Sequence, residues 1–400
     1  MRILFILPCA WDPRLGQARA SIGLAEALAE RGHKYDCFTV AQAGLSRGSI
    51  IASTFDRYRF QYKVRTYIRA EGNRYDVIQV EHDLLRFPRR DYRYDGILIS
   101  KSVGLFQFYD QYTQTVERRL RATRGDWGTV PGRIIRGLER KLNAGPRVVP
   151  NGFDVADQIH LNNSDEFNWV KGQKRWASKA VQIRSGLSGA ERNALAGSAD
   201  LKRRTSSQTI LFIGQWCYRK GRVEIPRIFR KVRQARPEAR LRLLGTGVSS
   251  EAILPEFDAE DRTAVEIISS FSREECAELF VEARVGLFPS YIEGFPFACL
   301  ELLAAGVPTI AWNVPGSREI LNAGTLVAPG SIDDTARLLI EVLERDPKDY
   351  KSMAEHCLRR AEAFSWRDVA NRYLEGLAPY GIAPATSVSL NTPLCRPKNG

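Results

Sequence analysis

The sequence predicts an α/β protein made of two doubly wound domains, each with a parallel sheet. Short apolar runs alternate with helix-like stretches through most of the chain, and the alternation lapses once, near residues 191–208. Strands that alternate with helices favour a parallel sheet covered on both faces. The chain of 400 residues is also longer than one hydrophobic core usually serves, so two domains are expected.

The first forty residues show the repeating unit clearly. Residues 3–7 form a continuous apolar run, as expected for a strand that is buried on both faces. Residues 18–31 then place apolar side chains at helical spacing and end at Gly32, and residues 36–40 form the next strand. Similar apolar runs predict strands at 77–80, 97–100, 180–183, 209–214, 241–244, 265–268, 285–288 and 309–311.

The interruption of the strand–helix alternation sets the predicted domain boundaries. Residues 188–207 are rich in glycine, serine and charged side chains and show little hydrophobic periodicity, which is typical of a linker. We therefore predict an N-terminal domain over 1–190, a linker over 191–208 and a C-terminal domain over 209–375. The remaining residues, 376–400, are expected to pack back on the N-terminal domain or to fray.

The composition disfavours a membrane-spanning protein and a cysteine-based metal site. No apolar run approaches the roughly 18 residues of a membrane-spanning helix, and the seven cysteines lack metal-site spacing. These features favour a cytoplasmic protein with reduced thiols. The net charge is +13, and residues 1–150 hold 26 Lys/Arg against 15 Asp/Glu. This excess suits either a solvated basic surface or contact with an anionic membrane or another anionic partner.

Two carboxylates eight residues apart form the strongest chemical pattern. The segment 289–301, PSYIEGFPFACLE, follows the strand at 285–288 and precedes an apolar helix. Glu293 thus falls on a glycine-containing loop and Glu301 inside the helix. A helix carboxylate can accept both hydroxyls of a ribose, and the helix N-terminus suits a diphosphate or a sugar hydroxyl.

This segment resembles the E-x7-E signature of the retaining family-4 glycosyltransferases, which have the GT-B fold. Residues 212–221, FIGQWCYRKG, resemble that family's basic diphosphate loop, and residues 243–247, LLGTG, its next strand and turn. The resemblance implies two Rossmann-like domains that face each other across a cleft. It also implies a nucleoside diphosphate sugar as donor, held by the C-terminal domain.

The resemblance assigns roles to individual residues. Glu301 would bind the donor ribose, Glu293 with the backbone of 294–297 would orient the transferred sugar, and Lys220 would neutralise the leaving diphosphate. The family usually has an arginine where this chain has Gln215, so Arg219 or Arg222 would have to replace that cation. The complete set of expected donor-binding residues is Glu301, Gly294, Phe295, Phe297, Arg219, Gln215, Gly16, Gly245 and Gly247, and the expected catalytic set is Glu293, Lys220 and His82.

Two of these residues lie in the first half of the chain. His82 stands in the triplet Glu81-His82-Asp83 after the strand at 77–80. It is either an acid-base group for an acceptor hydroxyl or a loop histidine that only forms hydrogen bonds. Gly16 precedes the first helix, where it either allows close approach of substrate to the backbone or serves as a plain turn glycine.

The residues and the resemblance together predict a glycosyltransferase that needs no metal and no cofactor, and the resemblance implies that the anomeric configuration is retained. It would move a sugar to a hydroxyl of a glycan or a lipid-linked acceptor in cell-surface polysaccharide or glycoconjugate synthesis. Arginine clusters at 86–93 and 118–124, beside the aromatic residues 106–112 and Trp127, would place it peripherally on an anionic membrane.

Three alternative functions are compatible with parts of the sequence to different degrees. A catalytically weak or inactive GT-B protein that binds nucleotide sugar or glycan as a partner subunit is the main alternative, supported by Gln215. A dehydrogenase is disfavoured because no G-x-G-x-x-G follows the first strand. No zinc-finger or RNP-type segment supports binding to nucleic acid.

Overall fold

The computed structural model describes residues 1–45, 54–123 and 145–382. The described residues form two compact units. The first contains the described residues within Met1–Asp110, Arg124–Gly186 and Trp366–Gly400, and the second contains Gln111–Thr123 and Leu187–Ser365. Residues 383–400 of the predicted tail, as well as Arg124 and Trp127 of the predicted basic surface, lie outside the described residues.

Each unit has a six-stranded parallel sheet among its described residues. The order in the first sheet is β2-β1-β3-β4-β5-β6, and in the second β12-β11-β10-β7-β8-β9. The strands are β1 (Arg2–Ile6), β2 (Lys34–Phe38), β3 (Val77–Glu81), β4 (Ile97–Lys101), β5 (Gln158–Leu161), β6 (Ala180–Gln182), β7 (Thr209–Ile213), β8 (Arg240–Leu244), β9 (Val265–Ile268), β10 (Ala283–Phe288), β11 (Thr309–Trp312) and β12 (Leu326–Val327). The fold class predicted from the sequence, two doubly wound α/β domains, is confirmed.

Helices connect most successive strands. Those described are α1 (Gly16–Ala29), α2 (Thr54–Glu71), α3 (Arg89–Tyr92), α4 (Phe106–Tyr112), α5 (Arg118–Thr123), α6 (Gly145–Val155), α7 (Ser164–Lys171), α8 (Gly189–Gly197), α9 (Leu201–Ser206), α10 (Glu224–Ala235), α11 (Ser250–Ile253), α12 (Cys276–Leu279), α13 (Phe297–Ala304), α14 (Ser317–Ile320), α15 (Ile332–Glu344), α16 (Pro347–Glu362) and α17 (Trp366–Leu377). None of these helices is long and apolar enough to cross a membrane.

Strand β7 of the second sheet is buried on both faces, which explains its continuous apolar sequence. Along β7, Ile210 and Phe212 pack into one hydrophobic cluster, whereas Leu211 and Ile213 pack into another on the opposite face. Successive side chains of a strand point to opposite faces, so a strand covered on both sides must be apolar at every position. This is why the strand could be predicted from the sequence.

The predicted linker at 191–208 differs from the structure, which has helices there. Ser188 caps α8 by accepting from the backbone N–H of Glu191, and Asp200 caps α9 in the same way. Leu195 packs into the second unit's core, and Arg204 is fully buried and donates to the carbonyl of Phe280 at 3.1 Å. A buried arginine and two leucines, Leu195 and Leu201, hold this segment, so no apolar stripe marked it as helical.

The C-terminal helix α17 belongs to the first unit, although the predicted domain boundary lay at residue 375. It packs on α1, where Gly23 faces the ring of Trp366 so closely that a β-carbon would lie 2.1 Å from Cε2. Arg31 donates to the carbonyl of Arg367 at 2.8 Å and to Asn371 at 2.9 Å. A glycine inside a helix costs stability, and here it makes room for a tryptophan.

Candidate functional site

The candidate site of the second unit lies where its strand order reverses. The central neighbours β10 and β7 are paired in parallel, while β8 and β9 extend from β7 on one side and β11 and β12 from β10 on the other. In doubly wound sheets, ligands bind beyond the carboxyl ends of the strands at such a reversal. The basic loop after β7 and the glutamate loop after β10 meet there.

Three charged side chains join these two loops. The Nζ of Lys220 lies 2.6 Å from Oε1 of Glu293, and Nη1 of Arg219 lies 2.8 Å from the same oxygen. Arg219 also donates to the carbonyl of Ile292 at 3.1 Å, and its own carbonyl accepts from the N–H of Tyr291 at 2.9 Å. Two cations therefore share one carboxylate oxygen in a cluster fixed by backbone contacts.

Burial and charge act in opposite directions on Glu293. Only 7% of this residue is exposed, and burial by itself would raise the pKa of its carboxyl group. The charges of Arg219 and Lys220 outweigh that effect and hold the pKa of Glu293 below its usual range. Glu293 is therefore ionised at neutral pH.

Two glycines allow the loops to approach this closely. Gly221 has φ 82°, and a β-carbon on it would lie 2.6 Å from the carbonyl oxygen of Pro289. Gly316 has φ 86°, and its β-carbon would lie 2.8 Å from the carbonyl oxygen of Glu293. Positive φ together with such contacts requires glycine at both positions. Gly316 was not among the predicted site residues, although the sequence 313–316, NVPG, is typical of a turn.

Glu301 occupies the middle of α13, as predicted, and only 8% of it is exposed. The helix begins at Phe297, and its N-cap residue is Pro296. Phe295 and Phe297 precede Glu301 with ring centres 5.4 Å apart, and Phe295 also contacts Phe364 at 6.1 Å. Phe295 therefore contributes to packing as well as to the loop at Gly294.

Gln215, Gly245 and Gly247 lie in the loops after β7 and β8. The N–H of Gly245 donates to Ile268 at 2.8 Å and that of Gly247 to Ser269 at 2.9 Å, which extends the sheet's hydrogen bonding beyond its strands. Both glycines have positive φ, 68° and 66°. The side chain of Gln215 is exposed at the end of β7.

The two arginines proposed to replace the missing cation have different positions. Arg219 lies beside Lys220, as described above. Arg222 instead pairs with Glu256 at 2.7 Å, and the indole Nε1 of Trp216 donates to the same carboxylate oxygen at 3.1 Å. The structure therefore places Arg219, and not Arg222, in the cluster with Glu293.

The other two predicted site residues belong to the first unit. Gly16 is the exposed first residue of α1, and a β-carbon there would meet nothing within 4 Å. His82 is buried, with its N–H donating to the carbonyl of Lys101 at 2.9 Å and its Nδ1 3.2 Å from the same oxygen. Burial lowers the pKa of His82, so the ring is neutral and enclosed at neutral pH.

A polar cluster adjoins His82 and joins Glu81 of the predicted triplet to Gln17, Lys101 and Asn162, which were not among the predicted site residues. Glu81 ends β3 and accepts a hydrogen bond from Gln17 of α1, across the point where the order of the first sheet reverses. Burial, followed by the charge of Asp83, raises the pKa of Glu81 well above its usual range. Lys101, paired with Glu81 in the strand register, donates to Asn162 at 2.7 Å, and burial lowers its pKa to about 8.

No group of three or more His, Cys, Asp or Glu side chains suited to a metal ion occurs within 1–45, 54–123 and 145–382. The six cysteines in these ranges are free thiols. That catalysis needs no metal stays a prediction from the sequence.

Part of this site lies in a stretch that matches a family model. The family model described as "Glycosyl transferases group 1" matches residues 197–359, which contain Lys220, Glu293 and Glu301. An MMP alpha-(1->4)-mannosyltransferase of Mycolicibacterium hassiacum is 31% identical over 126 residues, which are 30% of this chain and 30% of that relative. The chain thus spans less than a third of the length of this relative.

Solved structures resemble the whole chain. Sucrose-phosphate synthase from Thermosynechococcus elongatus has a TM-score of 0.71 at 18% identity and covers 95% of this chain and 99% of its own. HepE of Anabaena in complex with UDP-glucose has a TM-score of 0.66 at 14% identity, with 95% and 100% covered. At these identities the likeness concerns the fold. The chain therefore has the two-domain GT-B fold, and its residues 197–359 match the glycosyl transferases group 1 family model.

Proposed function

We propose that the protein is a glycosyltransferase that moves a sugar from a nucleoside diphosphate sugar to a hydroxyl of a glycan or a lipid-linked acceptor. The observation that carries this proposal is the cluster of Lys220, Arg219 and Glu293 at the reversal of strand order. It lies within the stretch that matches the glycosyl transferases group 1 model. The UDP-glucose in the HepE structure makes a uridine nucleotide the first donor to test.

The cations would act on the leaving group. As the bond between sugar and diphosphate breaks, negative charge grows on the β-phosphate, and fixed cations stabilise that charge without reorganising. Lys220 is a compact point charge, and Arg219 can form two parallel hydrogen bonds to phosphate oxygens. Gln215 stands where the family usually has one of two cations. Arg219 and Lys220 together would still supply two positive charges.

The glutamates would orient the donor. Glu301, on the buried helix α13, would accept hydrogen bonds from the ribose hydroxyls. Glu293 and the backbone of 294–297 would hold the hydroxyls of the transferred sugar. We infer that the anomeric configuration is retained and that catalysis depends on positioning and charge stabilisation rather than on a covalent intermediate. His82 would act on the acceptor hydroxyl only if substrate reaches its enclosed ring.

The proposed reaction uses neither metal nor cofactor and takes place at a membrane. We propose that no metal and no cofactor take part, since two cations and the N-terminus of α13 can neutralise the diphosphate. Cell-surface polysaccharide or glycoconjugate synthesis on the cytoplasmic side of a membrane is the proposed process. The basic excess of the N-terminal half supports contact with an anionic surface.

A thermal-shift and calorimetric screen tests the proposal. UDP, GDP, ADP and their sugars would be titrated into the wild-type protein and into Glu301→Ala, with circular dichroism to confirm that both are folded. We expect one nucleotide to stabilise the wild type and to bind the variant at least ten-fold more weakly. Release of nucleoside diphosphate, measured with and without EDTA, then tests turnover and metal dependence, and NMR of the product tests retention.

Two results would redirect the proposal. Tight binding of a nucleotide sugar without release of diphosphate on any acceptor would favour a non-catalytic GT-B subunit, with Gln215 as the residue to examine. No nucleotide binding at millimolar concentration would remove the basis of the proposal altogether.

A further inference from the structure

Helix α2 (Thr54–Glu71) of the first unit has two apolar faces. Its inner face packs into the core through Phe60, Val64 and Ile68, each 0% exposed. Among the described residues, only four large hydrophobic side chains are exposed, and three of them lie on this helix. They are Phe55 at 69%, Tyr58 at 46% and Tyr62 at 48%.

The exposed side chains of α2 form one continuous surface. At 100° per residue, the exposed positions fall within an arc of about 140°, opposite the core-facing residues. We call this surface the α2 outer face, and it consists of Phe55, Tyr58, Arg59, Tyr62, Lys63, Thr66, Arg69 and Ala70. It carries three aromatic rings, three basic side chains and no acidic one.

Guanidinium groups hold two of the rings in place. Arg86 lies over the Tyr58 ring with its guanidinium carbon 4.8 Å from the ring centre. Arg65 lies between Tyr62 and Phe87, at 4.1 Å and 4.5 Å from their ring centres. Cation–π contacts of this kind hold the rings without neutralising the arginines. The α2 outer face is therefore flanked by further positive charge.

We propose that the α2 outer face docks on an anionic lipid surface. Phenylalanine and tyrosine rings beside arginine and lysine are the side chains that settle at the headgroup level of a bilayer, with rings among the upper acyl chains and cations on the phosphates. Monomeric proteins seldom expose contiguous apolar patches without a binding role. This inference deepens the anionic contact proposed for the N-terminal half by assigning it to named residues, and it does not depend on the transferase reaction.

A single-stranded nucleic acid fits this surface less well. Such partners bind by stacking bases on the open faces of aromatic rings. Here Arg86 covers a face of Tyr58 and Arg65 a face of Tyr62. The tyrosines leave less open ring face for bases, whereas insertion among lipid headgroups needs only exposed ring edges and hydroxyls.

The α2 outer face overlaps the surface that the sequence predicted only at its flanking Arg86. In the cluster at 86–93, Arg89 pairs with Asp157 at 3.1 Å. In the cluster at 118–124, Arg121 pairs with Glu117 at 2.7 Å and lies over the ring of Tyr218. Phe108 packs against a core cluster. These residues are occupied by internal contacts, whereas the rings of the α2 outer face point to solvent.

Vesicle flotation with the full chain tests the proposal. Vesicles of phosphatidylcholine, with and without phosphatidylglycerol, would be compared for wild type, Arg59→Gln/Lys63→Gln and Phe55→Ser/Tyr62→Ser. We expect binding only to the anionic vesicles. Each basic residue near such a surface contributes about a factor of five, so the charge variant should bind about thirty-fold more weakly. The aromatic variant should also bind less, even at low ionic strength.

A matched control is Lys348→Gln/Lys351→Gln on α16 of the second unit, where both lysines are exposed. It removes the same net charge and should leave vesicle binding unchanged. Unaltered thermal unfolding of all variants would show that they are folded. The proposal is overturned if wild type ignores anionic vesicles, or if the α2 variants bind them as tightly as wild type. It is equally overturned if a single-stranded oligonucleotide binds through these residues while vesicles do not.

Discussion

The Nζ of Lys220 lies 2.6 Å from Oε1 of Glu293, and Nη1 of Arg219 lies 2.8 Å from the same oxygen. Because β7 and β10 are neighbours where the strand order reverses, the loops that carry these charges meet at the carboxyl edge of the sheet. A diphosphate that enters the site must share the two cations with Glu293. The carboxylate therefore competes with substrate while it also holds the cations in position.

This competition predicts the behaviour of Glu293→Gln. The amide keeps the shape of the side chain but removes the negative charge, so we expect nucleoside diphosphate to bind at least as tightly as to the wild type. The turnover number should fall about 10²-fold or more, since the neutral amide is a weaker hydrogen-bond acceptor for the hydroxyls of the reacting sugar than the carboxylate is. Isothermal titration and steady-state kinetics would measure the two effects separately. Weaker diphosphate binding with unchanged turnover would contradict the assignment.

The two neighbouring arginines should differ in importance. Arg219→Met and Lys220→Met remove cations from the cluster, so each should weaken diphosphate binding and lower turnover by about 10²-fold. Arg222→Met removes a cation that is held by Glu256 at 2.7 Å, and we expect little change in either quantity. Titration with the nucleoside diphosphate ranks the three variants. Equal losses for Arg222→Met and Arg219→Met would mean that the loop rearranges on binding.

Most strands were predictable because they are buried on both faces. The runs at 209–214 and 285–288 coincide with β7 and β10 to within two residues, because strands whose residues are all buried form nearly continuous apolar runs. The glutamate loop and α13 were likewise predictable, from local sequence alone. The contact of Glu293 with Arg219 was not, because it joins residues 74 positions apart and depends on the order of strands in the sheet.

Helices were harder to interpret where they do not show a single apolar stripe. The segment 191–208 packs through Leu195 and the buried Arg204, so it lacked the periodicity that marks a helix. Helix α2 shows the opposite case, with apolar residues on two faces. Sequence alone does not tell that Phe60 points into the core while Phe55 points to solvent, because only the sheet beneath decides which face is covered.

The close approach of Gly316 to Glu293 predicts a large effect from a small change. In Gly316→Ala the new β-carbon would lie 2.8 Å from the carbonyl oxygen of Glu293, at φ 86°. We expect a stability loss above the roughly 1 kcal/mol of left-handed strain, together with loss of activity as the glutamate loop is displaced. Gly330→Ala is the matched control, with φ 83° and its nearest contact at 3.7 Å. It should show the strain alone in calorimetry and keep full turnover, and equal behaviour of the two variants would refute this account.

His33 predicts how the stability of the first unit depends on pH. Only 6% of it is exposed, and burial lowers its pKa from 6.5 to about 4. Between these values the unfolded chain binds a proton that the folded protein does not, so the free energy of unfolding decreases as the pH falls from 6.5 to 4. The loss attributable to His33 should be about 2 kcal/mol.

The variant His33→Gln isolates this contribution, since glutamine does not titrate. Urea unfolding of wild type and variant at a series of pH values between 4 and 7 gives the difference in their free energies of unfolding. This difference should shift in favour of the variant as the pH falls, because the wild type alone must bury a group that prefers to be charged. Parallel curves for the two proteins would show that His33 is protonated in the folded state at its ordinary pKa, and that the β2 edge of the sheet is open to water there.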